Sequence, residues 1–252
     1  MPVATLDREA PQFTFVEHLG ELRHRLLFCL IAILCTTVLA FCFSNHIIKI
    51  LLLPAGGMHL IALNLMDGFL IKWRIALYAG VCLAFPIWAY QLYRFVCPAL
   101  LPHERKGLHP LLFGSVSLFC VGTTFGYFLL WGMIRVLRGI FPSEITYLPA
   151  ADSYIAFVVF FLFISGLIFL FPVVLLGLVK FGVLSTDLMR GQRKIAYFVL
   201  FAIAELITPV SDPIVAPLTF MVPLVLLYEA SIVIGKRIEK RRVISDQSAG
   251  IQ

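Results

Sequence analysis

Charged side chains are scarce in this sequence, and their scarcity excludes an ordinary soluble domain. Only 13% of the 252 residues are Asp, Glu, Lys or Arg, whereas 61% are hydrophobic and the mean hydropathy is +0.98. Soluble domains carry about 25% charged residues. Several apolar runs reach about 20 residues, which is the length that an α-helix needs to cross a hydrocarbon core of about 30 Å. The composition therefore predicts an all-α integral membrane protein.

The sequence also lacks the motifs of the common enzymes and metalloproteins. It contains no Walker A loop, no nucleophile elbow and no CxxC pair. The six cysteines lie in or beside apolar runs without a histidine at ligand spacing, and we interpret them as packing residues. The net charge of +6 comes from short segments between the apolar runs, so nucleic acid is not an expected partner. We predict no enzymatic activity, no metal and no cofactor.

Six apolar segments predict six transmembrane helices, of which the last two are short. The segments lie near residues 26–43, 69–93, 108–130, 154–179, 195–208 and 214–234. The two longest connections on the outer side, 44–68 and 131–153, are rich in apolar residues. Because such loops pack on the protein instead of extending into solvent, we expect them to form a cap. Residues 1–235 would form one membrane domain, and 236–252 a basic and then polar tail.

The distribution of Lys and Arg predicts how the chain is oriented. Fifteen of the 20 basic residues lie in the tails and loops on the side of the N-terminus, and five lie on the other side. Lys and Arg concentrate on the cytoplasmic side of a membrane. We therefore expect both termini in the cytoplasm, and the cytoplasmic (inner) membrane of a bacterium as the location. The basic tail would contact anionic lipid headgroups.

Two cytoplasmic segments carry carboxylates that could bind a cationic ligand. Glu21 lies just before the first apolar run, and Glu104 lies in a turn that Pro98 and Pro102 stiffen. Taken alone, each residue is also compatible with an ordinary solvated surface, and Glu21 could simply pair with Arg25 four residues later. Near the inner end of the sixth segment, we expect Glu229 to pair with a basic residue of the tail or of a cytoplasmic loop.

Each of these two segments contains a recognisable motif. Residues 18–26 read H-L-x-E-L-R-x-R-L, and residues 95–105 read F-x-x-P-A-L-x-x-H-E-R with Phe95 and Pro98 in their places. The two motifs resemble those of the TatC family of twin-arginine protein translocases. Further matches are Pro54 in the first outer loop, Tyr127 in the third segment and Asp212 after the fifth. The resemblance extends from about residue 15 to residue 236, which is nearly the whole chain.

The resemblance implies a receptor for the twin-arginine signal peptides of folded precursor proteins. Such a receptor recruits TatA-type and TatB-type single-span subunits for export driven by the proton-motive force, and several copies assemble in one complex. Carried over to this chain, the signal-peptide site comprises the acceptors Glu21 and Glu104, with Arg23, His103 and Arg105 around them. Arginine suits such acceptors because a carboxylate can meet the planar guanidinium with two charge-assisted hydrogen bonds, whereas lysine is a point charge.

Glu205 is an acidic residue within the fifth apolar segment. A carboxylate in hydrocarbon is costly unless it is protonated or has a partner. Many TatC proteins carry an acid in the fourth segment where this sequence has Leu170, so we hypothesise that Glu205 replaces it. With Thr208, Glu205 would form the polar site that TatA and TatB contact. Two alternatives stay open: a protonated Glu205 bonded inside the bundle, and a small proton-coupled transporter that uses Glu205 as its relay.

Overall fold

The computed structural model describes residues 15–96, 109–140, 148–207 and 215–249, and these ranges are helical apart from short connections. One isolated bridge between Ile61 and Ala150 is the only strand-type pairing within them. A short 3-10 turn, Leu53–Ala55, follows the second helix. The helices are α1 Phe15–Cys42, α2 Ser44–Leu52, α3 Asp67–Leu83, α4 Phe85–Val96, α5 His109–Ile140, α6 Ala151–Ile168, α7 Phe171–Lys180, α8 Thr186–Gly191, α9 Arg193–Ile207 and α10 Val215–Ala249. The all-helical class predicted from composition is confirmed.

Four parts of the described chain have the length and composition of membrane spans. Three are candidate spans by themselves, Leu19–Cys42, Pro110–Gly139 and Ala151–Lys180. The fourth is α3 and α4 taken together as one span, with a bend of 47° between them. These four overlap the first four apolar segments of the sequence, but the third continues to Gly139 and so takes up residues that were expected in the loop 131–153. Helix α9 has 15 residues and is therefore about 22 Å long, shorter than a hydrocarbon core.

The last helix is longer than the sequence predicted. Helix α10 has 35 residues, so the expectation of two short final helices is wrong for this one. The apolar segment ends near residue 234, but the basic segment that follows continues the same helix to Ala249. Lys, Arg, Glu and Ile in this segment favour or tolerate a helix, and no glycine or proline interrupts it between Gly235 and Gly250.

Two of the predicted segments are each divided at a Phe-Pro pair. The segment 69–93 breaks at Ala84, and the segment 154–179 breaks at Phe169 and Leu170. Proline has no N–H to donate, and its ring clashes with the carbonyl four residues earlier. Pro86 and Pro172 therefore lie in the first turn of new helices, which begin at Phe85 and Phe171, instead of continuing the preceding ones.

Small residues bring the long helices into close contact. The Thr36 hydroxyl on α1 donates a 2.8 Å hydrogen bond to the Gly80 carbonyl on α3, and a Cβ at Gly80 would lie 2.7 Å from the Thr37 backbone. On α6, the Ser165 hydroxyl donates to the Gly122 carbonyl of α5 at 2.7 Å. Lipid provides no hydrophobic driving force for contact between membrane helices. Their association therefore depends on close packing and interhelical hydrogen bonds of this kind.

The first outer loop packs on the bundle through two tyrosines. The hydroxyl of Tyr127 on α5 donates to the Ile50 carbonyl of α2, and that of Tyr154 on α6 donates to the Leu51 carbonyl, both at 2.9 Å. Pro54, in the 3-10 turn that contacts α5, is buried. The motif residues Pro54 and Tyr127 thus both lie where the loop meets the bundle.

The two outer loops also contact each other. Ile61 exchanges backbone hydrogen bonds with the other loop, donating to Pro149 at 3.1 Å and accepting from Ala151 at 2.8 Å. Beside this bridge, Arg74 on α3 forms an ion pair with Asp152 at the start of α6, with 2.8 Å between the Nη1 and Oδ1 atoms. In the described part of both loops, these contacts join them into one layer at the same end of the helix bundle.

Candidate functional site

A groove of about 710 Å³ lies between the N-terminal half of α1 and helix α4. In each helix the lining residues recur three or four positions apart, so they share one face. The lining comprises Glu21, His24, Arg25 and Phe28 from α1, and Pro86, Ile87, Tyr90, Gln91 and Arg94 from α4. The break before Pro86 sets the direction of α4 and thus the shape of the groove.

Glu21 binds a guanidinium group within this groove. The Nε of Arg25 donates to the Glu21 Oε1 at 3.0 Å, and its Nη2 donates to the same oxygen. The Nη1 of Arg25 also donates to the Gln91 Oε1 on α4 at 3.3 Å. The Arg25 side chain is only 14% exposed and that of Glu21 24%, so the pair is more buried than an ordinary surface ion pair. The Glu21–Arg25 pair that the sequence left as an alternative is therefore present.

The other residues proposed for the signal-peptide site have different positions. Arg23 is exposed on α1 and does not line the groove. Phe95 is half-buried in the last turn of α4. The remaining three site residues, and the motif proline beside them, lie outside the described residues, in the segment 97–108 that joins α4 to α5: Pro98, His103, Glu104 and Arg105.

Sequence reasoning missed Gln91 and Arg94 as members of the site. Gln91 carried a signal, because a polar side chain interrupts an apolar segment there and because Tyr90-Gln91 matches the family pattern. The only signal of Arg94 in the sequence was that it is a basic residue at the end of an apolar segment. Its guanidinium carbon lies 6.0 Å from the centre of the Tyr90 ring.

Glu205 is exposed in the last turn of α9, whose described part ends two residues later at Ile207. Among the described residues it has no hydrogen-bond or ion-pair partner. A Glu205 bonded inside the bundle does not agree with this exposure. Thr208 and Asp212 lie outside the described residues.

The structure places Glu205 and Leu170 in different parts of the bundle. Leu170 packs against a cluster formed by Phe85, Ala89 and Phe119 from α4 and α5. Glu205 lies on α9, which packs against α10. A carboxylate on α9 therefore does not occupy the space that an acid at position 170 would take.

Glu229 lies on α10, shortly before the basic segment of that helix, and its side chain connects α10 to α9. Its carboxylate accepts from the Arg193 Nη2 at 2.7 Å and from the Tyr197 hydroxyl at 2.6 Å. The expected pairing of Glu229 with a basic residue is confirmed, with Arg193 at the start of α9 as the partner. In the part of the chain that the structure describes, no three His, Cys, Asp or Glu residues come together as a metal site would require.

Comparison with known proteins identifies one family over most of the chain. Residues 17–223 match the family model of the Sec-independent protein translocase protein (TatC). The proteins of that name from Desulforapulum autotrophicum and Aquifex aeolicus are 33% and 34% identical over 248 and 233 residues. These alignments cover 96% and 90% of this chain, and 91% and 96% of the relatives.

Solved structures give the same relationship. A crystal structure of the twin-arginine translocase receptor TatC is 35% identical and superposes with a TM-score of 0.73, covering 88% of this chain and 99% of that one. A second crystal structure of the same receptor, in DDM, gives a TM-score of 0.75 and covers 87% of this chain.

Proposed function

Because this chain belongs to the TatC family of the Sec-independent protein translocase, we propose that it binds the twin-arginine signal peptides of folded precursor proteins. It acts as a receptor and assembly platform and makes or breaks no covalent bond. The observation that carries this proposal is the groove in which Glu21 already binds a guanidinium.

The chemistry of the groove supports the recognition of arginine. Glu21 accepts charge-assisted hydrogen bonds from a side chain of the same type as the proposed ligand, in a partly buried site. The groove opens between two helices and has room for a peptide side chain. A lysine would offer a point charge in place of a planar fork and would bind Glu21 less well.

Glu104 is the proposed second acceptor, so that two arginines meet two carboxylates. It belongs to the segment 97–108, which leaves α4 directly after the groove-lining residue Arg94 and the half-buried Phe95. Along the chain, Glu104 follows Val96, the last residue of α4, by eight positions. His103 and Arg105 would flank the second carboxylate.

For the whole chain we propose six spans, with both termini in the cytoplasm of a bacterium and the spans in its inner membrane. Four apolar spans and the shorter α9, followed by α10, support the number. The excess of Lys and Arg on the side of the termini supports the orientation. The groove then lies at the cytoplasmic face, where precursors are synthesised.

The outward face of α9 is the proposed contact for single-span subunits of the TatA and TatB type. This face exposes Ile195, Phe198 and Leu206 together with Glu205. An apolar stripe that ends in a carboxylate suits a partner helix with a hydrogen-bond donor at the same depth. Thr208 would complete the polar end of the contact. Several copies of the chain would share one complex, and the proton-motive force would drive export.

A proton-coupled transporter is supported less well. Such a protein needs a file of polar groups across the membrane, and the side chains next to Glu205 on the outward face of α9 are apolar.

Binding of a signal peptide to the purified chain tests the receptor function. We expect the Arg-Arg peptide to bind about tenfold or more tightly than its Lys-Lys variant, because each lost charge-assisted pair weakens binding by about 1–3 kcal/mol. Glu21→Gln and Glu104→Gln should each weaken Arg-Arg binding and reduce the preference. Asp187→Asn, which neutralises an exposed acid on α8, is the matched control. Equal binding of both peptides to the wild-type chain would contradict the proposal.

A further inference from the structure

We propose that Arg25 is a built-in competitor for the signal peptide. Its guanidinium occupies the Glu21 carboxylate in the resting protein, and an arginine of the peptide must displace it. This inference rests on the proposed receptor function and names the residue that sets the affinity of that site.

The hydrogen bonds of Arg25 are those that an incoming arginine would make. Its Nε and Nη2 both donate to the Glu21 Oε1, so the edge of the guanidinium that faces Glu21 presents two donors. An exposed pair four residues apart on a helix is mobile and weak. This pair lies in the groove, with the Arg25 side chain 14% exposed, and α4 holds the guanidinium from the other side.

Gln91 gives the displaced guanidinium a place to remain. The Arg25 Nη1 already donates to the Gln91 Oε1 at 3.3 Å, across the groove from α1. Displacement therefore breaks the bonds to Glu21 while the contact with Gln91 persists. The event is an exchange of one arginine for another on the same carboxylate.

Charge in the groove adds to the competition. The described lining contains two arginines, Arg25 and Arg94, and the single carboxylate of Glu21. As long as Arg25 neutralises Glu21, this part of the groove offers no net negative charge to a cationic peptide. Moving Arg25 away from Glu21 exposes the carboxylate to the ligand.

Competition within the chain has a distinctive thermodynamic signature. An internal competitor lowers the apparent affinity of all ligands that need Glu21 by the same factor, since only the fraction of molecules with Glu21 released can bind. Its removal should therefore strengthen binding of both peptides and leave their ratio unchanged. A residue that merely positions Glu21 would have the opposite effect: its removal would weaken binding and reduce the preference for arginine.

The experiment measures the affinity of Arg-Arg and Lys-Lys signal peptides for the full-length chain in detergent. We expect Arg25→Gln to tighten binding of both peptides by about tenfold, the equivalent of about 1.4 kcal/mol. Arg25→Lys keeps the positive charge but loses the planar guanidinium with its two adjacent donors, so it should increase peptide affinity by less than Arg25→Gln does. Arg190→Gln, the same change at an exposed arginine of α8, should leave both affinities unchanged.

A double variant shows whether the gain depends on Glu21. In the Glu21→Gln background, Arg25→Gln should give no gain, because there is no carboxylate to release. Unchanged or weaker binding by Arg25→Gln, with the wild type still preferring Arg-Arg, would overturn the competitor role and leave the receptor function standing. The competitor role would also be overturned if Arg25→Lys bound the peptides with the same affinity as the wild type. The loss of positive charge alone would then explain the tighter binding by Arg25→Gln. A wild-type chain without any preference for Arg-Arg would instead reject the receptor function.

Discussion

Glu205 brings a carboxylate to a face of α9 that is otherwise apolar. Its neighbours on that face include Phe198 and Leu206, which are 72% and 85% exposed. In hydrocarbon, a carboxyl group is costly unless it is protonated or hydrogen-bonded. An exposed acid at such a place is unfavourable for the isolated chain, and a partner helix with a hydrogen-bond donor would offset that cost.

Replacing Glu205 should therefore have opposite effects on stability and on assembly. In lipid nanodiscs, we expect Glu205→Leu to raise the Tm of the chain, because the substitution removes a carboxyl group from an apolar surface. The same variant should retain less of a single-span partner when the two are purified together, and Glu205→Gln should retain an intermediate amount. Asp187→Leu, a similar change on α8, is the control. Equal partner yields from the wild type and Glu205→Leu would contradict the proposed contact.

The sequence indicated single residues of the candidate site but not their surroundings. Glu21 could be proposed from the sequence because its motif and its negative charge both suit an arginine ligand. The groove could not, since it depends on the contact between α1 and α4, and this contact depends on the break before Pro86. The outward position of Glu205 also could not be predicted from the sequence, because an almost uniformly apolar helix gives little indication of which face packs against its neighbours.

Helices α5 and α6 meet along a line of small residues. Gly122 and Gly126, one turn apart on α5, both contact the region of Ser165 on α6. A Cβ at Gly126 would lie 2.7 Å from the Ser165 Cβ, closer than packed atoms can come. The position thus requires glycine for steric reasons, and the hydrogen bond from Ser165 to Gly122 depends on the same short distance.

A larger side chain at Gly126 should separate these two helices. We expect Gly126→Leu to lower the free energy of unfolding by about 1–3 kcal/mol or more, because an overpacked site must shift its neighbours. Gly132→Leu makes the same change on the same helix at a position where, in the described part of the chain, the added Cβ meets no atom of another element within 4 Å. It should have little effect. Thermal unfolding in detergent compares the two, and equal Tm values would contradict the close packing.

The positions of the helices could be predicted from the lengths of the apolar segments more readily than the residues at which the helices end. An apolar run of about 20 residues signals a span whatever its partners are. The Phe-Pro pairs at Pro86 and Pro172 were visible in the sequence, but a proline in a membrane helix can produce a mild kink as well as a break. The extension of α10 past Gly235 was missed because charged residues end an apolar segment without ending the helix.

In the molecule as a whole, α4 separates two grooves of different character. Its face toward α1 lines the groove that contains Glu21 and Arg25. Its opposite face, with Trp88 and Leu92, lines an apolar groove of about 340 Å³ against α5 and α7. The N-terminal ends of α3 and α6 and the C-terminal end of α5 are meanwhile joined by the two loops that contact each other through Ile61. A peptide that brings arginine to Glu21 must therefore approach one particular side of α4.

Photo-crosslinking measures directly which side of α4 the peptide meets. A signal peptide with a photoreactive residue next to its arginine pair would be bound to the purified full-length chain, irradiated, and mapped by mass spectrometry. We predict crosslinks to Phe28, Ile87 or Tyr90 in the groove with Glu21, and their loss when the arginine pair is replaced by lysines. Crosslinks confined to Trp88 and Leu92 on the opposite face, or equally strong with the lysine peptide, would contradict recognition of arginine at Glu21.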